Sequence, residues 1–319
     1  MLKPIALFFL IFISFTAVAQ TDGKDFTAVD AYVKKLGSLD SLNMGTISAK
    51  LTKPFDDKME KARAIYDWIT GNITYDVKMA RSGNISKNSG DEVLLYRKAV
   101  GIGFATLFQD MCSSADIRCL TADGFIKNTI EDINEKSSEI NHSWDVVQLG
   151  QSPDKWFYVD AAFGSGSVDA TGKIFTRSFT SGYFFANKQL FNWQHFPDNE
   201  AWKLGPAPKS KSEFNTLPII KNAAFDLDLS KFAPAQGFVK AALNKEVSFK
   251  FSFGNGAIDV TKVSIVYGDA RKLRTKDPVF NYSGNNLSFN YKFEIEGDYP
   301  VTVLINGKEL ITYHFQVDE

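Results

Sequence analysis

The hydrophobic pattern of this chain changes period near residues 205–221, and that change constrains the fold more than any other feature. Beyond Phe225 the sequence consists of short alternating runs: EVSFKFSF at 246–253, VSIVY at 263–267, LSFNYKFEI at 287–295, YPVTVLI at 299–305 and LITYHFQV at 310–317. Alternation with period two buries one face of a strand, and several such runs in succession read as a β-sandwich. Asn306-Gly307 sets a tight hairpin between the last two runs, because both residues tolerate the positive φ of a type I′ turn. Up to Leu204 the texture is different. Helical spacing alternates with strand-like segments, and GPAPKSKSEFNTLP, with three Pro, suits a connection between two domains.

In the first part, Asp56 or Asp57 caps a predicted helix whose apolar residues Met59, Ala62, Ile65, Tyr66 and Ile69 recur at three- and four-residue spacing, with Gly71-Asn72 ending it. The polar stretch at 81–91 reads as a surface loop. Phe104, Leu107, Phe108, Met111, Cys112 and Ala115 form one face of a central helix that begins close to Gly101 and Gly103. Strand-like segments follow at 119–126, 143–149 and 156–160. Helix, central helix and then antiparallel strands make an α+β pattern.

With 36 basic and 37 acidic side chains, the 319-residue chain has a formal net charge of -1. That balance excludes a protein that coats nucleic acid or is drawn to an anionic membrane by long-range charge. The first twenty residues, MLKPIALFFLIFISFTAVAQ, join Lys3 to an apolar run and end in Ala17-Val18-Ala19, the composition of a signal peptide over residues 1–19. The expectation is therefore an exported protein, periplasmic or secreted, without a stable membrane anchor once the leader is cleaved. Cys112 and Cys119 are too few for a disulfide scaffold and lack the spacing of a zinc site. They are read as buried thiols, with a bridge between them left open. His142, His195 and His314 are too few and too scattered for a catalytic metal, so neither a metal nor another cofactor is expected.

The runs KAVGIGFATLFQDMC, ADGFIKN, NHSWDVV, KWFYVDAAFGSG and YFFANKQLFNWQHFPDNEAWKL, taken in order, resemble the transglutaminase-like superfamily, close to its bacterial members and to the kyphoscoliosis-type peptidases. The resemblance extends from about Ala62 to Leu204. It implies a papain-like, cysteine-protease-type core over 20–204; the change of texture beyond it is read as a linker at 205–221 and an immunoglobulin-like β-sandwich over 222–319. In the family a Cys opens the central helix, a His follows Asn before Ser or Ala and Trp, and an Asp ends an aromatic strand. The matching positions here are Gly101, His142 and Asp160, so the nucleophile position carries no side chain. Ile102, Asn141 and Trp144 are candidates for the cleft around them, although Trp144 lies on an apolar face and is read first as core. His195-Phe196-Pro197 resembles the family's closing segment and is expected to serve packing.

A thiolate activated by an imidazole is the family's chemistry, and losing such a nucleophile typically costs ~10⁴ to 10⁶ in rate. Cys112 lies eleven residues along the same predicted helix, about 16 Å away at 1.5 Å per residue, and cannot reach His142. The expected function is noncatalytic binding of a protein, peptide or cell-envelope component, with no role for nucleic acid. An enzyme with a rebuilt active site and a structural envelope protein are the alternatives.

Overall fold

A computed structural model describes residues 24–83, 88–135, 139–150, 155–169, 171–254, 259–269 and 272–319. The expected leader, residues 1–19, lies outside the described residues. Among those described, no helix is long and apolar enough to cross a membrane.

Helix Lys58–Asn72 starts where Asp57 accepts the Met59 amide at 2.6 Å, and it buries Ala62, Ile65, Tyr66, Trp68 and Ile69. It packs with helix Met44–Thr52 against the central helix Gly101–Ser114, whose buried face runs through Phe104, Leu107, Phe108 and Met111. The stretch at 81–91 is not simply a loop. Helix Val77–Ser82 ends in the left-handed Gly83, and Ser89 with Glu92 forms a capping box that opens helix Gly90–Tyr96. That Ser-x-x-Glu spacing satisfies two amides at once and is a start signal the polar composition concealed.

The central helix lies on a four-stranded antiparallel sheet with the order Trp156–Val159, His142–Gln148, Arg118–Ile126, His195–Pro197. Gly124 is required in the middle of it. A Cβ there would lie 2.3 Å from the Phe196 carbonyl and 2.6 Å from the Trp144 ring, so only glycine lets these two close on the strand.

Downstream, one sheet has the order Leu229–Ala233, Glu246–Phe253, Asn286–Lys292, Phe280–Ser283. The other runs Phe238–Ala242, Lys308–Asp318, Gly297–Ile305, Val263–Tyr267, Arg274–Lys276. The two face each other through Phe249, which lies 6.1 Å from Phe315 and 6.0 Å from Tyr313 between ring centroids. Asn306 and Gly307 both take positive φ, 50° and 82°, as their turn requires.

Residues 205–221 are themselves structured. Helix Lys211–Thr216 buries Phe214 against Phe125 and Phe196, and the buried Lys127 ammonium donates to the Phe214 carbonyl at 3.0 Å. Strand Ile219–Ile220 then pairs with Ile311 and Thr312 of the last strand. Gln194 donates to the Ile220 carbonyl at 2.9 Å, and Tyr183 to Asn222 at 3.0 Å, which ties the sandwich to the back of the α+β core.

Candidate functional site

Three elements converge at the head of the central helix. Gly101 is its first residue, and Val100 before it offers no side-chain cap. His142 is the first residue of its strand. Asp160 follows strand Trp156–Val159 and caps helix Ala161–Ser165, its Oδ1 accepting the Phe163 amide at 2.9 Å. The other carboxylate oxygen, Oδ2, accepts from His142 Nε2 at 2.7 Å and from His195 Nε2 at 3.1 Å.

Burial alone would raise the Asp160 carboxyl. The charge and hydrogen bond of His142, followed by those of His195, overcome it and hold Asp160 well below the usual carboxylate range. His195 moves the other way. Burial lowers its pKa to about 4 against the pull of Asp160, so its ring is neutral at pH 7. That ring stacks on Phe191 at 3.9 Å and meets Trp144 edge-on at 5.1 Å, while His142 meets Phe163 edge-on at 5.1 Å. The ionised carboxylate thus requires a proton on both Nε2 atoms, and in a neutral His142 the lone pair is on Nδ1.

Nδ1 of His142 faces Gly101. A Cβ built on Gly101 would lie 2.6 Å from Nδ1 and 2.8 Å from Cε1, closer than atoms can approach, so the imidazole occupies the volume that a side chain at 101 would need. The backbone at Gly101 is not in the left-handed region, and the close obstacle to a Cβ there is the His142 ring.

The remaining residues named from sequence are placed less centrally. Ile102 is half-buried beside Gly101 on the first turn. Asn141 is exposed beside His142, and its side chain accepts from the Ile126 amide at 2.9 Å and donates to the Ile126 carbonyl at 3.0 Å, fixing the strand edge. Trp144 is 1% exposed and belongs to the core. Ser143, next to His142, turns its hydroxyl to the other face and donates to Asp123 at 2.6 Å. Cys112 and Cys119 are both free and buried; Cys112 lies in the core of the last helical turn, and Cys119 directs its sulfur at Asp145, 3.5 Å away.

His195 corrects the packing role expected for its segment. Gly124 pairs with His142 and Ile126 with His195, so the two histidines flank one strand two positions apart and share a face of the sheet. With Asp160 they offer three ligand atoms within 4.8 Å of one another. A tetrahedral zinc would hold such atoms about 3.3 Å apart. The 2.7 Å separation of His142 and Asp160 is that of a hydrogen bond, and the trio is organised around protons.

Residues 45–161 match the family model of the transglutaminase-like superfamily, a span that encloses Gly101, His142 and Asp160 and stops short of His195. The chain is 29% identical over 221 residues to kyphoscoliosis peptidase of Mus musculus, covering 69% of this chain and 33% of that protein. It is 28% identical over 225 residues to the Homo sapiens protein of the same name, covering 70% and 33%. Over residues 45–161 the chain is similar to the transglutaminase-like superfamily. A more distant relative, hillarin of Drosophila melanogaster, is 23% identical over 221 residues, covering 64% of this transglutaminase-like chain and 26% of hillarin. The chain spans a third or less of the length of these relatives.

Proposed function

We propose that this transglutaminase-like protein binds a protein, peptide or cell-envelope partner and does not carry out thiol catalysis. One observation carries the reading: where the superfamily's nucleophilic Cys would stand, Gly101 presents bare backbone to Nδ1 of His142. An imidazole hydrogen-bonded to a carboxylate is the base and orienter of a thiol enzyme, and with no thiol before it there is nothing to deprotonate. Neither Cys112 nor Cys119 replaces it, since both are committed to the interior. Assays of amide hydrolysis and of glutamine-to-amine transfer should show no turnover by the wild type. Turnover that survives Cys112→Ala/Cys119→Ala would make the protein a nonthiol enzyme, and turnover abolished by those substitutions would reveal a surrogate thiol. Either result overturns the reading.

Export to the periplasm or medium forms part of the proposal and rests on Lys3, the apolar run and Ala17-Val18-Ala19. So does an immunoglobulin-like identity for the sandwich. Named in chain order, its sheets read A-B-E-D and A′-G-F-C-C′, with the A′ strand Phe238–Ala242 parallel to the last strand. Tyr299, near the start of the F strand, donates to the Ile295 carbonyl at 2.8 Å, the bond of a tyrosine corner.

A further inference from the structure

Beside the closed position at Gly101 lies an open one. A groove of about 340 Å³ runs between the short parallel strands Thr74–Tyr75 and Lys98–Ala99 and the hairpin of Gly166–Val168 with Phe175–Arg177. It adjoins the site: Tyr75 pairs with Ala99, the Asp76 amide donates to the Ala99 carbonyl at 2.8 Å, and Gly101 follows two residues later. Tyr75 is buried enough, and close enough to the Asp160 charge, for its hydroxyl to titrate high.

The lining has two characters. Lys78, Lys98 and Lys173 stand exposed around it, and none of their ammonium groups makes an ion pair among the described residues. The carboxylate of the lining, Asp76, is engaged by the Met79 amide at 2.9 Å. Between the lysines lie Tyr75, Ile174 and Phe175; Ile174 is 63% exposed, and Val168, which pairs with Phe175 in the hairpin, is an exposed apolar residue too. Exposed apolar side chains among three lysines that form no ion pair among the described residues, against the single carboxylate of Asp76, give the lining a local positive excess that suits a binding surface. The chain as a whole carries a net charge of -1, so any attraction for an anion here is local.

We propose that this groove holds an extended acidic polypeptide segment, its carboxylates meeting Lys78, Lys98 and Lys173 while an apolar side chain lies on Tyr75, Ile174 and Phe175. The inference rests on the noncatalytic-binding reading and names its partner class. A polypeptide suits the surface better than a single-stranded nucleic acid. Tyr75 and Phe175 pack on each other, 6.2 Å between centroids and 33° between planes, rather than standing free as platforms for bases.

The test uses the full chain and an end-blocked peptide of alternating Glu and Leu, read by fluorescence anisotropy against the same peptide with Gln in place of Glu. The acidic peptide should bind at least tenfold more tightly and weaken as salt is raised. Lys78→Glu/Lys98→Glu/Lys173→Glu should lose that factor, while Lys231→Glu/Lys240→Glu/Lys250→Glu, an equal charge change on the sandwich, should not. No binding, equal binding of the Gln peptide, equal loss in both triple variants, or tighter binding of a single-stranded oligonucleotide would overturn the groove assignment. Binding that survives the groove variant leaves the noncatalytic reading standing, whereas cleavage or crosslinking of the peptide by the wild type overturns both.

Discussion

Asp145 pairs with Val159, the residue before Asp160; the two carboxyls are each 1% exposed, and their pKa values shift in opposite directions. Asp160 has the Phe163 amide on one oxygen and two imidazoles on the other. Among the described residues, Asp145 has only long contacts of 3.5 Å from the Cys119 thiol and the Thr121 hydroxyl to Oδ1, and Oδ2 has no partner. The Thr121 hydroxyl is better used elsewhere, donating to Gln109 at 2.9 Å. Burial therefore pushes Asp145 well above the carboxylate range, toward its neutral form, with the nearby thiol and Asp160 adding to the shift. Depth is equal for the two residues. Donors decide which is an anion, and the anion lies at the head of the central helix, where the fold's chemistry belongs.

Isosteric neutralisation should separate the two most widely. Asp160→Asn removes the charge that two buried imidazoles face and is expected to cost about 3 to 5 kcal/mol in urea denaturation. Asp145→Asn replaces a group that burial already pushes toward its neutral form and should cost about 1 kcal/mol. Equal losses would erase the contrast.

A second effect sharpens the site side alone. His195 titrates near 4 when folded and near 6.5 when unfolded, so between those values the unfolded chain binds a proton that the folded chain refuses. Its contribution to stability is intact above about pH 6.5 and is lost as the pH falls toward about 4, by up to about 3 kcal/mol. Denaturation curves across that range should show a shallower acid slope in His195→Phe than in the wild type. An unchanged slope would mean that His195 is not the group refusing the proton.

The smallest expected effect probes how tightly the ring closes on the helix. Gly101→Ala should cost about 1 to 3 kcal/mol, because its Cβ displaces the His142 imidazole. In His142→Ala the same Gly101→Ala change should cost about 1 kcal/mol less, since the obstructing ring is gone. Strict additivity in the double-mutant cycle would show that the ring already stands clear of the helix.

The His142 and Asp160 positions are legible in the sequence because each is tied to a local signature, Asn before His and an aromatic strand ending in Asp. The downstream strands are legible because alternation with period two is itself local, and the runs at 246–253 and 263–267 match their strands residue for residue. His195 is legible only as part of a block. Its meeting with Asp160 depends on the register of a strand far away in sequence, which no local spacing encodes. What obstructs a side chain at position 101 is hidden from the sequence for a related reason. A strained backbone is the ordinary cause for a glycine to resist a side chain, and here the cause is a ring delivered by another strand. Strand Ile219–Ile220, only two residues long, carries no period to detect.

The structured connection at residues 205–221 has a consequence for how the protein could be divided. Phe214 completes a small apolar cluster with Phe125 and Phe196 on the α+β side, and Ile219 and Ile220 supply backbone partners to the last strand on the other. A cleavage among the prolines would not release two finished pieces. It would open a hydrophobic socket beside Lys127 on the first piece and bare part of a strand edge on the second. The helix Lys211–Thr216 itself touches both sides of the boundary, through Lys127 on the Phe214 carbonyl and the Gly237 amide on the Thr216 carbonyl.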